Sequence, residues 1–142
     1  MTKTEFQQDI PSLPQQLAEK ANQVISGLKD QYIVQTRSDI EAMRDFLIRA
    51  KTAKPQKRFK LIRTDFFQKM HDMKGLGATF GYSLLTALGK YACDYLRNKT
   101  EISDDDIHKM ELVLNDTIRV LDDDLVGTGG AIGAEIYSHI TS

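Results

Sequence analysis

Apolar side chains recur three or four residues apart through most of this 142-residue chain, and this helical period constrains the fold more than any other feature. The clearest series advances in steps of four or three residues, as expected for a helix that faces a bundle core: Ile62, Phe66, Met70, Met73, Gly77, Phe80 and Leu84. No segment alternates with period two for long enough to predict a strand. The sequence therefore predicts an all-α protein, an up-and-down four-helix bundle with an extra N-terminal helix and a C-terminal tail.

Proline, glycine and capping residues mark where these helices should begin and end. We expect a leader at residues 1–13, a helical bundle at residues 14–126 and a glycine-rich C-terminal tail at residues 127–142. The first helical pattern should break near Gly27 or at "QTRS", and the second should turn near Gly81. Ser103 is the expected N-cap of the last bundle helix, and Asp106 can reach back to it.

The amino-acid composition limits which partners and which cellular compartment we expect for the chain. Nineteen Lys+Arg against 20 Asp+Glu leave a formal net charge of -1, so the overall charge predicts neither a nucleic-acid nor a membrane partner. The single cysteine, Cys93, excludes an intrachain disulfide and a multi-cysteine metal cage. No apolar run approaches the roughly 20 residues of a membrane span, and the chain does not open with a signal-peptide core. We expect a cytoplasmic protein.

The stretch "HDMKGLGATFGY" from residue 71 places three glycines in a region that otherwise favours helix, although each interior glycine costs about 1 kcal/mol relative to alanine. If Met70 and Met73 point into the core, His71 lies off the core stripe. Its own face then contains Thr64, Phe67, Gln68, Lys74, Gly75 and Ala78. The pattern predicts an accessible histidine beside a lysine, with a docking surface for another macromolecule formed by Phe67, Gln68, Gly75 and Ala78.

The segment "HDMKGLGATFG" closely resembles the phosphorylation motif of histidine-containing phosphotransfer (HPt) domains. The matching positions are His71, Met73, Lys74, Gly75, Gly77, Ala78, Phe80 and Gly81. The "TFGY" ending is also similar to the phosphorylated N-terminal domain of chemotaxis-type histidine kinases, and the resemblance extends over roughly residues 57–125.

This resemblance implies a phosphorelay role. His71 would accept a phosphoryl group from the aspartyl phosphate of a receiver domain, or from a histidine kinase, and pass it to a response-regulator aspartate. Lys74 would neutralise phosphoryl charge, and the receiver would supply Mg²⁺, so the chain needs no cofactor of its own. Because no "GxxxxGK[ST]" loop is present, we expect a phosphocarrier without autokinase activity, acting as a monomer.

One position departs from the family pattern. Chemotaxis-type relatives place a glutamate or glutamine about 22 residues after the histidine, where it bonds the unreactive ring nitrogen, and this chain has Cys93 there. A thiol is a weak hydrogen-bond partner. The His71 tautomer would then be set by Lys90 through water, by a backbone carbonyl, or by no neighbour at all.

Two other function classes stay open. An HPt-like adaptor would bind a receiver or kinase without carrying phosphate. A phosphoacceptor fragment of a sensor kinase is favoured only by the pair His71-Asp72.

Other residues are expected to have structural or solvated roles. His108 and His139 lie outside the motif, and the methionines at 70, 73 and 110 are expected in the core. The basic residues around "KPQKRFK" are either a solvated surface or a second contact to a receiver: Lys51, Lys54, Lys57, Arg58, Lys60 and Arg63.

Overall fold

The computed structural model describes residues 12–141, and its regular structure there is helical, with no strand among those residues. The long helices are α1 (Leu13–Ala50), α3 (Phe67–Gly77), α4 (Ser83–Arg97), α5 (Asp104–Asp122) and α6 (Gly130–Thr141). A short helix α2 (Pro55–Phe59) and a π-helix (Lys60–Phe66) precede α3, and a 3₁₀ turn (Ala78–Phe80) follows it. The prediction of an all-α protein is confirmed.

The chain divides into two units, with the boundary between Val34 and Gln35 inside α1. The described part of the first unit consists of helical residues after Ser12. The second unit contains the motif and a continuous set of buried apolar side chains. Those with almost no exposure include Met43, Ile62, Phe66, Met70, Met73, Leu85, Leu88, Leu96, Ile107 and Met110. The three methionines at 70, 73 and 110 therefore fill the core, as expected.

Helix α4 is the central element of the second unit because it packs against α3, α5 and α6. Its buried face combines large and small residues: Leu84, Leu85, Leu88, Gly89, Ala92, Cys93 and Leu96. One partly buried and one exposed ion pair connect the second half of α1 to its neighbours. Lys69 of α3 lies 3.1 Å from Asp39, and Arg37 lies 2.8 Å from Asp122 of α5.

Two predicted helix boundaries are confirmed by their hydrogen bonds or backbone angles. The Ser103 side chain accepts a bond from the Asp106 N–H, and the Asp106 carboxylate accepts one from the Ser103 N–H, which is a complete capping box. The second helical pattern turns at Gly81, whose φ of 91° lies in the left-handed region that favours glycine.

Three boundaries differ from the prediction. The prediction of a break near Gly27 or "QTRS" was wrong, because α1 is one helix over both segments. A single glycine lowers helix stability by only about 1 kcal/mol, which is too little to end a helix of this length. The π-helix before α3 was not predicted. Within the glycine-rich tail lies α6, where the close approach of the Thr128 carbonyl oxygen leaves no room for a Cβ at Gly133. The predicted leader lies almost wholly outside the described residues.

No helix within residues 12–141 is both long enough and apolar enough to cross a membrane.

Candidate functional site

The π-helix and α3 together place His71 on the surface. Leu61, Ile62 and Phe66 of the π-helix are buried, as are Met70 and Met73 of α3, so the helix presents one side to the core throughout. His71 lies off that buried side and is exposed. The π-helix ends at Phe66, five residues before His71, and such segments occur frequently near functional sites.

None of the six residues predicted to share the face of His71 belongs to the buried side of the helix. Phe67 and Lys74 are partly buried, and the other four are exposed: Thr64, Gln68, Gly75 and Ala78. Gln68 donates a hydrogen bond of 2.8 Å to Asp72, one turn along α3. The histidine therefore has a polar flank at Gln68 and Asp72 and an open surface at Gly75 and Ala78.

The three glycines of the motif have three different environments. A Cβ built on Gly75 would meet no atom within 4 Å, so this glycine keeps the surface beside His71 low. A Cβ on Gly77 would lie 2.8 Å from Thr86 Oγ1 and 3.0 Å from the Tyr82 carbonyl oxygen, so this glycine allows α3 to approach α4. Gly81 provides the left-handed turn. The three glycines thus serve different positions in the structure: an open surface at Gly75, close helix packing at Gly77 and a chain reversal at Gly81.

Lys74 is held on the site face by α4. Gly89 of α4 packs against the Lys74 Cβ and the Met70 carbonyl oxygen. Thr86 Oγ1 donates a 3.1 Å hydrogen bond to the Lys74 carbonyl oxygen and accepts one of 2.9 Å from the Ala78 N–H. Among residues 12–141, no carboxylate lies within 4.0 Å of the Lys74 ammonium. The backbone of Lys74 is therefore fixed, while its charge is available to a ligand.

Cys93 lies behind α3 and does not reach the imidazole. The thiol is buried, and its Sγ lies 4.0 Å from the Phe67 carbonyl oxygen. Burial raises the pKa of this thiol, and the nearby Lys74 charge offsets that effect only in part. Lys90, an alternative considered for orienting His71, is bound to Asp94 at 2.7 Å. Neither residue makes a hydrogen bond to His71.

An aromatic and cationic stack that was not predicted from the sequence lies beside His71. The rings of Phe67 and His71 have centroids 6.5 Å apart and planes inclined by 20°. The Arg63 guanidinium carbon lies 4.5 Å from the centroid of the Phe67 ring. Phe67 was predicted as a docking residue, and the spacing of 63, 67 and 71 by four residues was the available signal for this stack.

Most of the basic residues near "KPQKRFK" have partners within the fold. Arg58 donates to the carbonyl oxygens of Ala50, Lys51 and Ile102 and pairs with Asp104. Lys51 pairs with Glu111, and Lys60 pairs with Asp65. These contacts favour a structural role for the cluster over a second receiver contact.

The two histidines outside the motif have different surroundings. His108 is exposed on α5. The Nδ1 atom of His139 on α6 lies 2.9 Å from an oxygen of Asp116 on α5. This contact helps to hold α6 against α5. Within the described part of the chain, no three His, Cys, Asp or Glu side chains are grouped so that they could hold a metal ion.

The chain matches no protein-family model, no curated protein and no solved structure.

Proposed function

We propose that this protein is a histidine phosphocarrier of the HPt type, in which His71 accepts and donates a phosphoryl group. The observation that supports this most is the combination of an exposed imidazole, a cation on the same face at Lys74, and an open surface at Gly75. On the side of His71 formed by Gly75 and Ala78, no bulky side chain stands in the way of a protein donor. A histidine on an ordinary solvated helix face requires none of these features.

The proposed reaction is a reversible transfer between His71 and an aspartate of a receiver domain. The unprotonated ring nitrogen attacks the phosphorus of the aspartyl phosphate, the new N–P bond forms, and the O–P bond to the donor carboxylate breaks with its electron pair. The proton on the other ring nitrogen stays in place. The Lys74 ammonium offsets charge on the phosphoryl oxygens, and the receiver supplies Mg²⁺ and its acidic ligands.

A phosphocarrier of this type also implies a particular helix arrangement, particular partners and a cellular compartment. The second half of α1 with α3, α4 and α5 would form an up-and-down four-helix bundle, which the pairings of α1 with α3 and α5 support. The partners are receiver domains of response regulators or hybrid kinases, and neither a nucleic acid nor a membrane is one of them. We propose a monomeric, cytoplasmic carrier that does not phosphorylate itself.

Incubation of the purified chain with a radiolabelled phosphorylated receiver tests the proposal. We expect acid-labile, alkali-stable label on the wild-type chain and none on His71→Gln, whose helicity and melting temperature should be unchanged because the position is exposed. His108→Gln is the matched control and should accept label normally. Label that persists in His71→Gln would show that the site is elsewhere.

A second candidate, a non-phosphorylated adaptor, is favoured by the position of Cys93. A buried thiol directed at the Phe67 carbonyl oxygen cannot fix the His71 tautomer as a glutamate or glutamine would. An adaptor would bind receivers with the same affinity before and after His71→Gln and would never accept label. Binding measured alongside labelling separates the two functions.

A further inference from the structure

The His71 imidazole has an aromatic neighbour where a polar one was expected. Among residues 12–141 the ring nitrogens make no hydrogen bond, and the centroid of the Phe67 ring lies 6.5 Å from that of the imidazole, with the two planes inclined by 20°. Phe67 precedes His71 by one helical turn, so the pair belongs to one rigid helix, α3. A near-parallel ring pair at this separation lies within the range over which aromatic rings attract each other, so Phe67 favours the observed orientation of the imidazole.

Phe67 is itself held by Arg63. The guanidinium lies over the phenyl ring, with its carbon 4.5 Å from the ring centroid. Arg63 Nε and Nη2 both donate to the Arg97 carbonyl oxygen, at 3.2 and 3.0 Å. That carbonyl is at the C-terminal end of α4, where a helix stabilises a cation. A connected series of contacts therefore extends from the end of α4 through Arg63 and Phe67 to His71.

We propose that Phe67 and Arg63 are positioning residues that hold the His71 ring in the orientation required for phosphoryl transfer. This inference rests on the phosphocarrier function proposed above. It assigns Phe67 a role different from the docking role predicted from sequence. It also identifies what replaces the polar partner at position 93, since the Cys93 thiol is directed at the Phe67 carbonyl oxygen.

A small phosphodonor separates positioning from docking, because phosphoramidate presents no protein surface. With phosphoramidate at saturation, Phe67→Leu should label about tenfold more slowly, since a mobile nucleophile spends less time aligned for attack. Phe67→Tyr keeps the ring and should restore the rate. Leu76→Ala is the matched control, because it removes an exposed apolar side chain from the same helix outside the stack.

A second measurement does not depend on phosphorylation. Carbon-13 relaxation of the His71 imidazole reports its order in the unphosphorylated protein. We expect lower order in Phe67→Leu, wild-type order in Phe67→Tyr, and a smaller loss in Arg63→Lys, which keeps the charge but not the planar fork that stacks and donates twice to Arg97. If Phe67→Leu unfolds at too low a temperature to be measured, Arg63→Lys alone tests the series of contacts from Arg63 through Phe67 to His71.

The outcomes distinguish the inference from the function on which it rests. If the wild-type chain labels but Phe67→Leu labels equally fast, or if slower labelling leaves the imidazole fully ordered, the positioning role is wrong. If the wild-type chain accepts no label from phosphoramidate or from a receiver, the phosphocarrier function fails. The order of the imidazole then shows by itself whether Phe67 and Arg63 hold the ring.

Discussion

Gly89 of α4 lies so close to Lys74 of α3 that a Cβ built on Gly89 would be 2.5 Å from the Lys74 Cβ and 2.9 Å from the Met70 carbonyl oxygen. Real Cβ atoms do not approach other atoms so closely. The α3 turn that contains Lys74 can therefore pack this closely against α4 only because residue 89 has no side chain.

Gly89→Ala should therefore destabilise the protein, although alanine is the better helix former. We expect a loss of about 1–3 kcal/mol in the free energy of unfolding, because α3 and α4 must separate to admit the methyl group. Urea denaturation measures this loss. The same methyl group added at Gly75 is the control, and equal effects at the two positions would contradict the packing argument.

Gly75→Ala should stabilise the protein by about 0.5–1 kcal/mol, because the position is helical and a Cβ there meets no atom within 4 Å. Gly75→Leu should also fold, but it should weaken receiver binding and slow transfer by obstructing the approach of the receiver to His71. Unimpaired transfer by Gly75→Leu would mean that this glycine does not keep His71 accessible.

Gly77→Ala should destabilise the protein, because its Cβ would lie 2.8 Å from Thr86 Oγ1.

Lys74→Ala tests the role of the free ammonium. If Lys74 neutralises the phosphoryl group, transfer should slow about five- to thirtyfold while receiver affinity stays near the wild-type value, because charge develops on the phosphate during transfer. Single-turnover labelling and a binding titration measure the two quantities separately. Equal losses in both would identify Lys74 as a docking contact, and no loss in either would show that Lys74 serves neither step. A wild-type chain that binds receivers but accepts no label would favour the adaptor.

Asp106 should make stability depend on pH. Burial by itself would raise its pKa, but hydrogen bonds from the Ser103 backbone, from Tyr95 and from Lys99 outweigh that effect and lower the pKa. A carboxyl group with a lowered folded-state pKa stabilises the fold above its unfolded pKa, so this contribution is lost as the pH falls below about 4.

Asp106→Asn should therefore be less stable than the wild type at pH 7 and should lose less stability on acidification. Urea titrations between pH 3 and pH 7 measure both effects. Asp105→Asn is the matched control, because Asp105 lies in the same helical turn but takes no part in the capping box. A wild-type acid dependence in Asp106→Asn would contradict the assignment.

Local sequence determined those features that depend on neighbours along the chain. The period of three and four residues placed Met70 and Met73 in the core and His71 on the surface, because the helix itself sets those directions. The capping box at Ser103 and Asp106 was predictable because both partners lie within one turn. The left-handed turn at Gly81 follows likewise from a property of glycine.

Only the tertiary structure decided features that depend on another helix. Gly75 and Gly77 are equivalent in helix propensity, but one faces open space and the other faces Thr86 of α4. The contact between Arg63 and the Arg97 carbonyl oxygen joins residues 34 positions apart, so no local period indicates it. In the glycine-rich tail, burial of Ile136 and the bond between His139 and Asp116 stabilise α6 against the cost of its glycines. These gains exist only once α4 and α5 are in place.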